Sequence, residues 1–145
     1  RGDYAVIQDA DLEYHPRELS KLLRKASPKT AVYGSRTLGK NKPAYTRTYL
    51  GNVMLTFVGN LLFGLKLTDS YTCYKLLPAK VAKNLAIKSK HFELEAEITG
   101  KLAKKGIEIV EVPISYSPRT YEQGKKLKAR DAIKGVLMYL TVRFS

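Results

Sequence analysis

Two carboxylates close together follow a short apolar run near the start of the chain. Asp9 and Asp11 stand two positions apart, directly after the run at residues 4–7. Alternate residues of an extended chain point the same way, so the two side chains can converge on one point. Hard carboxylate oxygens at this spacing suit Mg²⁺ or Mn²⁺, held with help from substrate phosphates. The alternative is a polar loop in which Asp11 caps the next helix, and the spacing alone favours neither interpretation.

The apolar run at residues 4–7 predicts a buried central strand of a parallel sheet that is covered on both faces. Carboxylates at the carboxyl end of such a strand lie where open α/β sheets bind their ligands. A central strand is an unusual place for a natural domain to begin. We therefore expect the chain to be a portion of a longer protein.

Composition narrows the class of protein. The 145 residues are enough for one domain with a real core. The formal net charge of +13 predicts a surface that attracts phosphates, nucleic acid or an anionic membrane. A single cysteine, Cys73, excludes an internal disulfide framework and fits a reducing compartment. His15 and His91 form no metal-ligand pattern with it.

Hydrophobic spacing and chain breakers predict alternating strands and helices. We expect strands at residues 4–7, 31–34, 71–77 and 107–114, and helices at 16–26, 48–65, 78–86, 92–105 and 131–145. Residues 48–65 carry no charge and have the length of a marginal membrane span. Three glycines and several polar residues dilute that segment, so a buried or interfacial helix is the better prediction.

Two polar, basic segments separate these elements. Residues 35–48 include Arg36 and Arg47, and residues 115–130 include Arg119 and Lys125. Arginines at strand ends suit bidentate contacts to phosphate, which favours anion-binding loops. The alternative is a solvated basic surface.

Five stretches now stand in an order known from one family. They are Gln8-Asp9-Ala10-Asp11-Leu12-Glu13-Tyr14, Tyr33-Gly34-Ser35-Arg36, Leu67-Thr68-Asp69-Ser70-Tyr71-Thr72-Cys73-Tyr74-Lys75, Phe92-Glu93-Leu94-Glu95-Ala96-Glu97-Ile98, and Glu111-Val112-Pro113-Ile114-Ser115-Tyr116 with the basic segment after it. Together they span nearly the whole chain. In these stretches the chain resembles the family 2 glycosyltransferases, in particular the polyprenyl-phosphate group that includes dolichyl-phosphate mannose synthase.

The resemblance implies a fold of the α/β class. The expected architecture is a glycosyltransferase-A-type, Rossmann-like mixed sheet flanked by helices, with residues 1–145 forming the C-terminal portion of that domain as a single unit. Family members also have an N-terminal half that holds the nucleotide, and this chain shows no counterpart of it. The resemblance therefore implies the metal and acceptor side of the enzyme.

The resemblance also implies an activity and its location. The expected reaction is metal-dependent, inverting transfer of a sugar from a nucleotide-diphosphate donor, of the GDP-mannose or UDP-glucose type, to a polyprenyl or dolichyl phosphate. The enzyme would lie at the cytoplasmic face of an anionic membrane. The implied roles are metal binding by Asp9, Asp11 and Glu13, acceptor-phosphate binding by Ser35, Arg36 and Arg47, positioning by Asp69, and closure over the diphosphate by a loop with Arg119 and Lys125.

Two other functions remain open. The chain can be a glycosyltransferase remnant that binds anionic lipid without activity. It can also be a basic module that binds nucleic acid, with tyrosines that stack on bases. No nucleic-acid motif is present, and such a module leaves Asp9 and Asp11 unexplained, so we do not expect nucleic acid as a partner.

Overall fold

The computed structural model describes residues 2–10, 12–43, 45–119 and 129–145. Within these ranges one sheet is flanked by α-helices. The strands are β1 (Tyr4–Ile7), β2 (Thr30–Ser35), β3 (Lys75–Pro78) and β4 (Glu108–Pro113). The helices are α1 (Leu19–Leu23), which follows a 3₁₀ turn at Pro16–Glu18, α2 (Thr46–Phe63), α3 (Ala79–Asn84), α4 (Leu94–Lys104) and α5 (Ala129–Phe144).

The sheet is mixed, and its strand order is β1-β3-β2-β4. β3 is antiparallel to both of its neighbours, whereas β2 and β4 are parallel. It follows that β1, β2 and β4 run in one direction and end at the same edge of the sheet, where β3 begins. The expected mixed sheet with flanking helices is confirmed.

The prediction for β1 is wrong in one respect. Within the described residues β1 is an edge strand, antiparallel to its neighbour β3, and not a central strand between parallel neighbours. Its middle residues are exposed, Val6 by 41%. The two inner places belong to β3 and β2, and all four residues of β3 are buried. An apolar run predicts extended structure but does not say which strand becomes its neighbour.

β3 also starts later than residue 71, where the sequence pattern placed it. Four of the residues at 68–73 donate their backbone N–H groups to side chains and not to a strand ladder. Ser70 N donates to Thr56 Oγ1 at 3.1 Å, and Cys73 N donates to the Tyr14 hydroxyl at 3.2 Å. We call residues 68–73 the central turn.

Both faces of the sheet are covered, as the alternation along β2 shows. Val32 packs in a cluster with Leu22 of α1, whereas Tyr33 packs on the other face with Ile98 and Leu102 of α4. Buried strands of this kind are typical of an α/β fold.

A helical layer of α2, α4 and α5 packs beside the sheet, and glycines allow its close contacts. A Cβ on Gly59 of α2 would lie 2.8 Å from the ring of Tyr139 on α5. A Cβ on Gly135 of α5 would lie 2.1 Å from the Tyr71 hydroxyl of the central turn. Only glycine fits both positions in this arrangement.

The outer sides of α2 and α5 carry apolar side chains at helical spacing. All of them are exposed, by 36–80%: Leu50, Met54, Phe57 and Leu61 on α2, and Ile133, Leu137, Leu140 and Phe144 on α5. We call these two rows the apolar stripes. Within the described ranges, no helix combines the length and the apolar character that crossing a bilayer requires.

Candidate active site

A cavity of about 420 Å³ opens at the sheet edge where β1, β2 and β4 end. Residues after every one of these strands line it, together with the central turn, the first half of α2 and the start of α4. Its lining includes the charged residues Asp9, Glu13, Arg36, Lys42, Asp69, Lys90, Glu95 and Arg119. The topology thus gathers side chains that are up to 110 positions apart in the sequence.

Arg36 and Asp69 form a two-pronged ion pair in this cavity. Arg36 Nε donates to Asp69 Oδ2 at 2.7 Å, and Nη2 donates to Oδ1 at 2.8 Å. Nη2 also donates to the Tyr71 carbonyl, and the guanidinium lies 5.2 Å from the ring centre of Tyr116. Asp69 is buried, so the pair is strong and the direction of the guanidinium is fixed. Asp69 therefore acts on the cavity through Arg36.

Glu111 of β4 fixes the backbone of the central turn. Its carboxylate accepts the backbone N–H of Thr68 at 2.8 Å and that of Asp69 at 2.9 Å. Sequence reasoning missed this role and counted Glu111 as an ordinary polar position of an alternating strand. A signal was present, because Glu108 and Glu111 are three positions apart and cannot point to the same face of a strand. One of them had to face the covered side.

Glu13 connects two loops that border the cavity. Its carboxylate accepts the Tyr116 hydroxyl at 2.9 Å and the Arg119 backbone N–H at 2.8 Å, and Arg119 Nε lies 3.5 Å away. Through the ring of Tyr116 this cluster continues to Arg36. Four predicted site residues, Glu13, Arg36, Asp69 and Arg119, are thus brought together.

One of the carboxylates that were predicted to bind a divalent cation, that of Asp9, lies at the cavity. Asp9 borders the cavity, and its backbone N–H donates to Cys73 Sγ at 2.9 Å. Burial raises the pKa of the Cys73 thiol, and the neighbouring Asp9 raises it further. Within the described residues, no three His, Cys, Asp or Glu side chains are grouped as metal ligands. Asp11 lies outside those residues. Mg²⁺ commonly uses one or two carboxylates plus substrate phosphates, so the chemistry of Asp9 and Asp11 suits such an ion.

A buried ion pair that the sequence did not indicate lies at the wall of the cavity, which Glu95 lines. Lys75 of β3 is fully buried, contacts Glu95 of α4, and lies 4.6 Å from the ring centre of Tyr33. Burial raises the pKa of Glu95, and Lys75 partly opposes this effect. The ion pair joins β3 to α4.

Two further predicted site residues that the structure describes, Ser35 and Arg47, are not among the residues that line the cavity. Ser35 is fully buried, accepts the Leu38 N–H at 3.0 Å and bonds to Thr68 Oγ1 at 2.7 Å. Arg47 is exposed at the start of α2 and is not among the lining residues. Lys125, like Asp11, falls outside the described residues.

Comparison with known proteins now identifies the family. The family model described as glycosyl transferase family 2 matches residues 1–86, which is more than half of the chain. The chain belongs to glycosyltransferase family 2. The match covers β1, the loop after β2, all of α2 and the central turn, and thus most of the cavity of this family 2 chain.

Two curated relatives extend the similarity into the C-terminal part. The chain is 31% identical over 130 residues to an undecaprenyl-phosphate mannosyltransferase of Micrococcus luteus, covering 85% of this chain and 53% of that protein. It is 30% identical over 127 residues to the low-salt glycan biosynthesis hexosyltransferase Agl6 of Haloferax volcanii, covering 84% of this chain and 31% of that protein. The aligned part of the family 2 chain thus spans about a third of one relative's length and about half of the other's.

Proposed function

We propose that this family 2 chain forms the acceptor side of an enzyme that transfers a sugar from a nucleotide-diphosphate donor to a polyprenyl phosphate. One observation carries the proposal: the cavity that joins carboxylates to a fixed arginine opens beside a helix with an exposed apolar stripe. Thr48, Tyr49, Asn52 and Val53 of α2 line the cavity, and Leu50 and Met54 of the same turns belong to the stripe. A lipid phosphate has the matching chemistry, with an anionic head and an apolar tail. The mannosyltransferase relative, whose name includes undecaprenyl phosphate, agrees with this acceptor class.

In the proposed reaction an acceptor phosphate oxygen bonds to the anomeric carbon of the sugar. The bond from that carbon to the nucleotide diphosphate breaks at the same time and its electron pair leaves with the diphosphate, so the configuration inverts. A phosphate monoester, whose second pKa is about 6, is mostly ionised at neutral pH. The acceptor therefore does not depend on a strong general base, which agrees with an Asp69 carboxylate committed to Arg36.

The side chains of the cavity divide the remaining work. Arg36, held by Asp69, gives the acceptor phosphate a fixed cation and reduces its repulsion from the anionic donor. Arg119, joined to Glu13, lines the same cavity and is our candidate for binding the donor diphosphate. A divalent cation held by Asp9 and Asp11 would supply charge neutralisation for the departing diphosphate. Glu13 is a weaker candidate for the metal, because its carboxylate already binds Tyr116 and Arg119.

We further propose that the apolar stripes of α2 and α5 rest in the membrane interface. Exposed apolar rows of this extent mark interaction surfaces in soluble domains. The net charge of +13 attracts an anionic leaflet, and interfacial helices use both forces together. A lipid phosphate at that surface would then reach the cavity along α2.

The test is a transfer assay on the full-length gene product with radiolabelled nucleotide sugars. Three acceptors are compared: a polyprenyl phosphate, the corresponding polyprenol, and an oligosaccharide. We expect label in a lipid product only with the phosphate acceptor. Equal transfer to the polyprenol, or transfer only to the oligosaccharide, would contradict the proposal.

A further inference from the structure

A loop between α3 and α4 brings two further nitrogen-bearing side chains to the cavity. Lys90 and His91 line it, and both residues are exposed. They belong to the segment of residues 85–93, which we call the α3–α4 loop. The resemblance to family 2 assigns these two positions no role.

The α3–α4 loop is anchored at its centre. The buried Glu97 carboxylate accepts the backbone N–H of Lys88 at 3.1 Å and that of Ser89 at 2.8 Å. Lys101 binds the same carboxylate at 2.6 Å and also donates to the Ala86 carbonyl at 2.7 Å. Two residues of α4 therefore fix the segment directly before Lys90.

The rest of the loop is equally constrained. Ala86 has a φ of +47°, a left-handed conformation that costs a non-glycine residue about 1 kcal/mol or more. At the other end, the ring centre of Phe92 lies 4.8 Å from that of Tyr71 in the central turn. Strain persists only where the surroundings impose it, and here the backbone on both sides of Lys90 and His91 is held beside the cavity.

Two other cations in and beside the cavity are already paired with carboxylates, so Lys90 and His91 can serve a bound anion. Arg36 is paired with Asp69, and the buried Lys75 is paired with Glu95. For Lys90, in contrast, the described part of the chain supplies no carboxylate partner within 4.0 Å. A phosphate dianion among several carboxylates needs more than one cation, and an imidazole can add an N–H donor in either protonation state.

We propose that Lys90 and His91 form a phosphate-binding subsite of the cavity, placed by Glu97 through the α3–α4 loop. The ligand is the phosphate of a lipid, either the terminal phosphate of the polyprenyl acceptor or the headgroup of a neighbouring anionic lipid. The subsite deepens the proposed function and rests on it for the identity of the acceptor.

The test uses the full-length protein and geranyl phosphate as the probe, with geraniol as the probe that lacks phosphate. Calorimetry should show binding of geranyl phosphate by the wild type. The double variant Lys90→Ala/His91→Gln should bind it about tenfold more weakly, because charge-assisted hydrogen bonds are lost. Lys88→Ala is the matched control: this cation lies in the same loop but does not line the cavity, and its removal should change nothing.

Two further measurements complete the test. One distinguishes the two possible sources of the phosphate, and the other asks whether Glu97 positions the α3–α4 loop. Flotation with phosphatidylglycerol vesicles reports headgroup binding, and weakening of this binding alone in the double variant would assign the subsite to a neighbouring lipid. Glu97→Gln should weaken the same ligand as the double variant, with its melting temperature measured as a control for folding. Unchanged binding of both geranyl phosphate and vesicles in the double variant would overturn the proposal.

The outcome is distinguishable from that of the proposed function. Binding of geranyl phosphate that depends on Lys90 and His91, without any sugar transfer to polyprenyl phosphate, would uphold the subsite and overturn the proposed reaction. Sugar transfer to polyprenyl phosphate, with unchanged binding of geranyl phosphate and vesicles in the double variant, would uphold the proposed reaction and overturn the subsite.

Discussion

The Asp69 carboxylate accepts three hydrogen bonds from one residue, Arg36. They come from Nε at 2.7 Å, Nη2 at 2.8 Å and the backbone N–H at 2.9 Å. The loop after β2 and the central turn are thereby joined at one point, although the two residues are 33 positions apart. The direction of the guanidinium is set by Asp69 and by the Glu111 carboxylate that orients the central turn.

The first prediction concerns this pair. Arg36→Ala should raise the KM for the lipid phosphate at least tenfold and change the KM for the nucleotide sugar much less, because a fixed cation is removed from the acceptor. Arg36→Lys should restore only part of the affinity, since a point charge replaces a planar fork. Steady-state kinetics on the full-length enzyme measure both constants.

Folding must be followed in the same variants. Removing one partner of a buried pair leaves an uncompensated charge and costs about 3–5 kcal/mol. Asp69→Asn is therefore measured by thermal unfolding alongside Arg36→Ala. An acceptor KM that stays constant in a folded Arg36→Ala enzyme would remove Arg36 from the acceptor site.

The second prediction concerns the contact between Gly135 and Tyr71. Gly135→Ala should destabilise the protein by about 1–3 kcal/mol, because its Cβ would lie 2.1 Å from the Tyr71 hydroxyl. Tyr71→Phe should rescue much of this loss. It should cost little by itself, since that buried hydroxyl has no hydrogen-bond partner among the described residues. Urea unfolding of the two single variants and the double variant measures the coupling.

Gly51 offers the control for that cycle. It lies within α2, and a Cβ there would meet nothing within 4 Å. Gly51→Ala should therefore stabilise the protein by about 0.5–1 kcal/mol through helix propensity. Equal effects of the two glycine substitutions would show that the close approach of α5 to the central turn is not tight in solution.

The third prediction concerns the apolar stripes. Replacing Phe57 and Leu61 on α2 by serine should reduce binding to anionic vesicles about tenfold or more, because each side chain loses an apolar contact of about 1–2 kcal/mol. Leu23→Ser is the matched control, since Leu23 is exposed by 56% on α1 and belongs to neither stripe. Vesicle flotation measures the effect. A loss in Leu23→Ser equal to that in the α2 variant would show that no particular face docks.

The fourth prediction concerns acid sensitivity at Glu97. Burial by itself raises the pKa of this carboxyl, but hydrogen bonds from Lys101, Ser89 and Lys88 lower it to about 2. A depressed pKa contributes stability above the ordinary value of 4.5, and this contribution is lost as the pH falls towards 2. Glu97→Gln should thus cost on the order of 2 kcal/mol at about pH 6 and less than half of that at about pH 3. Urea unfolding at the two pH values measures the difference, and a cost independent of pH would contradict the assignment.

The elements of the fold were largely readable from the sequence because they depend on local patterns. The run without charge at residues 48–65 predicted α2 to within two residues at each end, and Gly64, with a φ of +67°, ends the helix. The place of β1 was not readable. Its neighbour β3 comes from a segment about 70 residues later, and an apolar run fits an edge strand as well as a central one.

For the site as well, the sequence indicated some features and not others. Arg36 and Asp69 were visible as residue types at the ends of elements, but their mutual contact depends on the strand order. Glu111 and Glu97 looked like the polar positions of an alternating strand and an amphipathic helix. Their role follows from which backbone N–H groups fold back onto them, and the hydropathy pattern carries no information about that.

The most direct test of the account is whether sugar transfer depends on Asp9. The measurement is the rate of label transfer to polyprenyl phosphate by the full-length enzyme, across a titration of Mg²⁺ and of Mn²⁺, for wild type, Asp9→Asn and the control Asp3→Asn. Asp3 is an exposed carboxylate at the opposite end of β1. We predict that the wild type and Asp3→Asn require the cation equally and that Asp9→Asn loses activity by about two orders of magnitude or more while its melting temperature is unchanged. Full transfer by Asp9→Asn in the presence of a chelator would contradict the account.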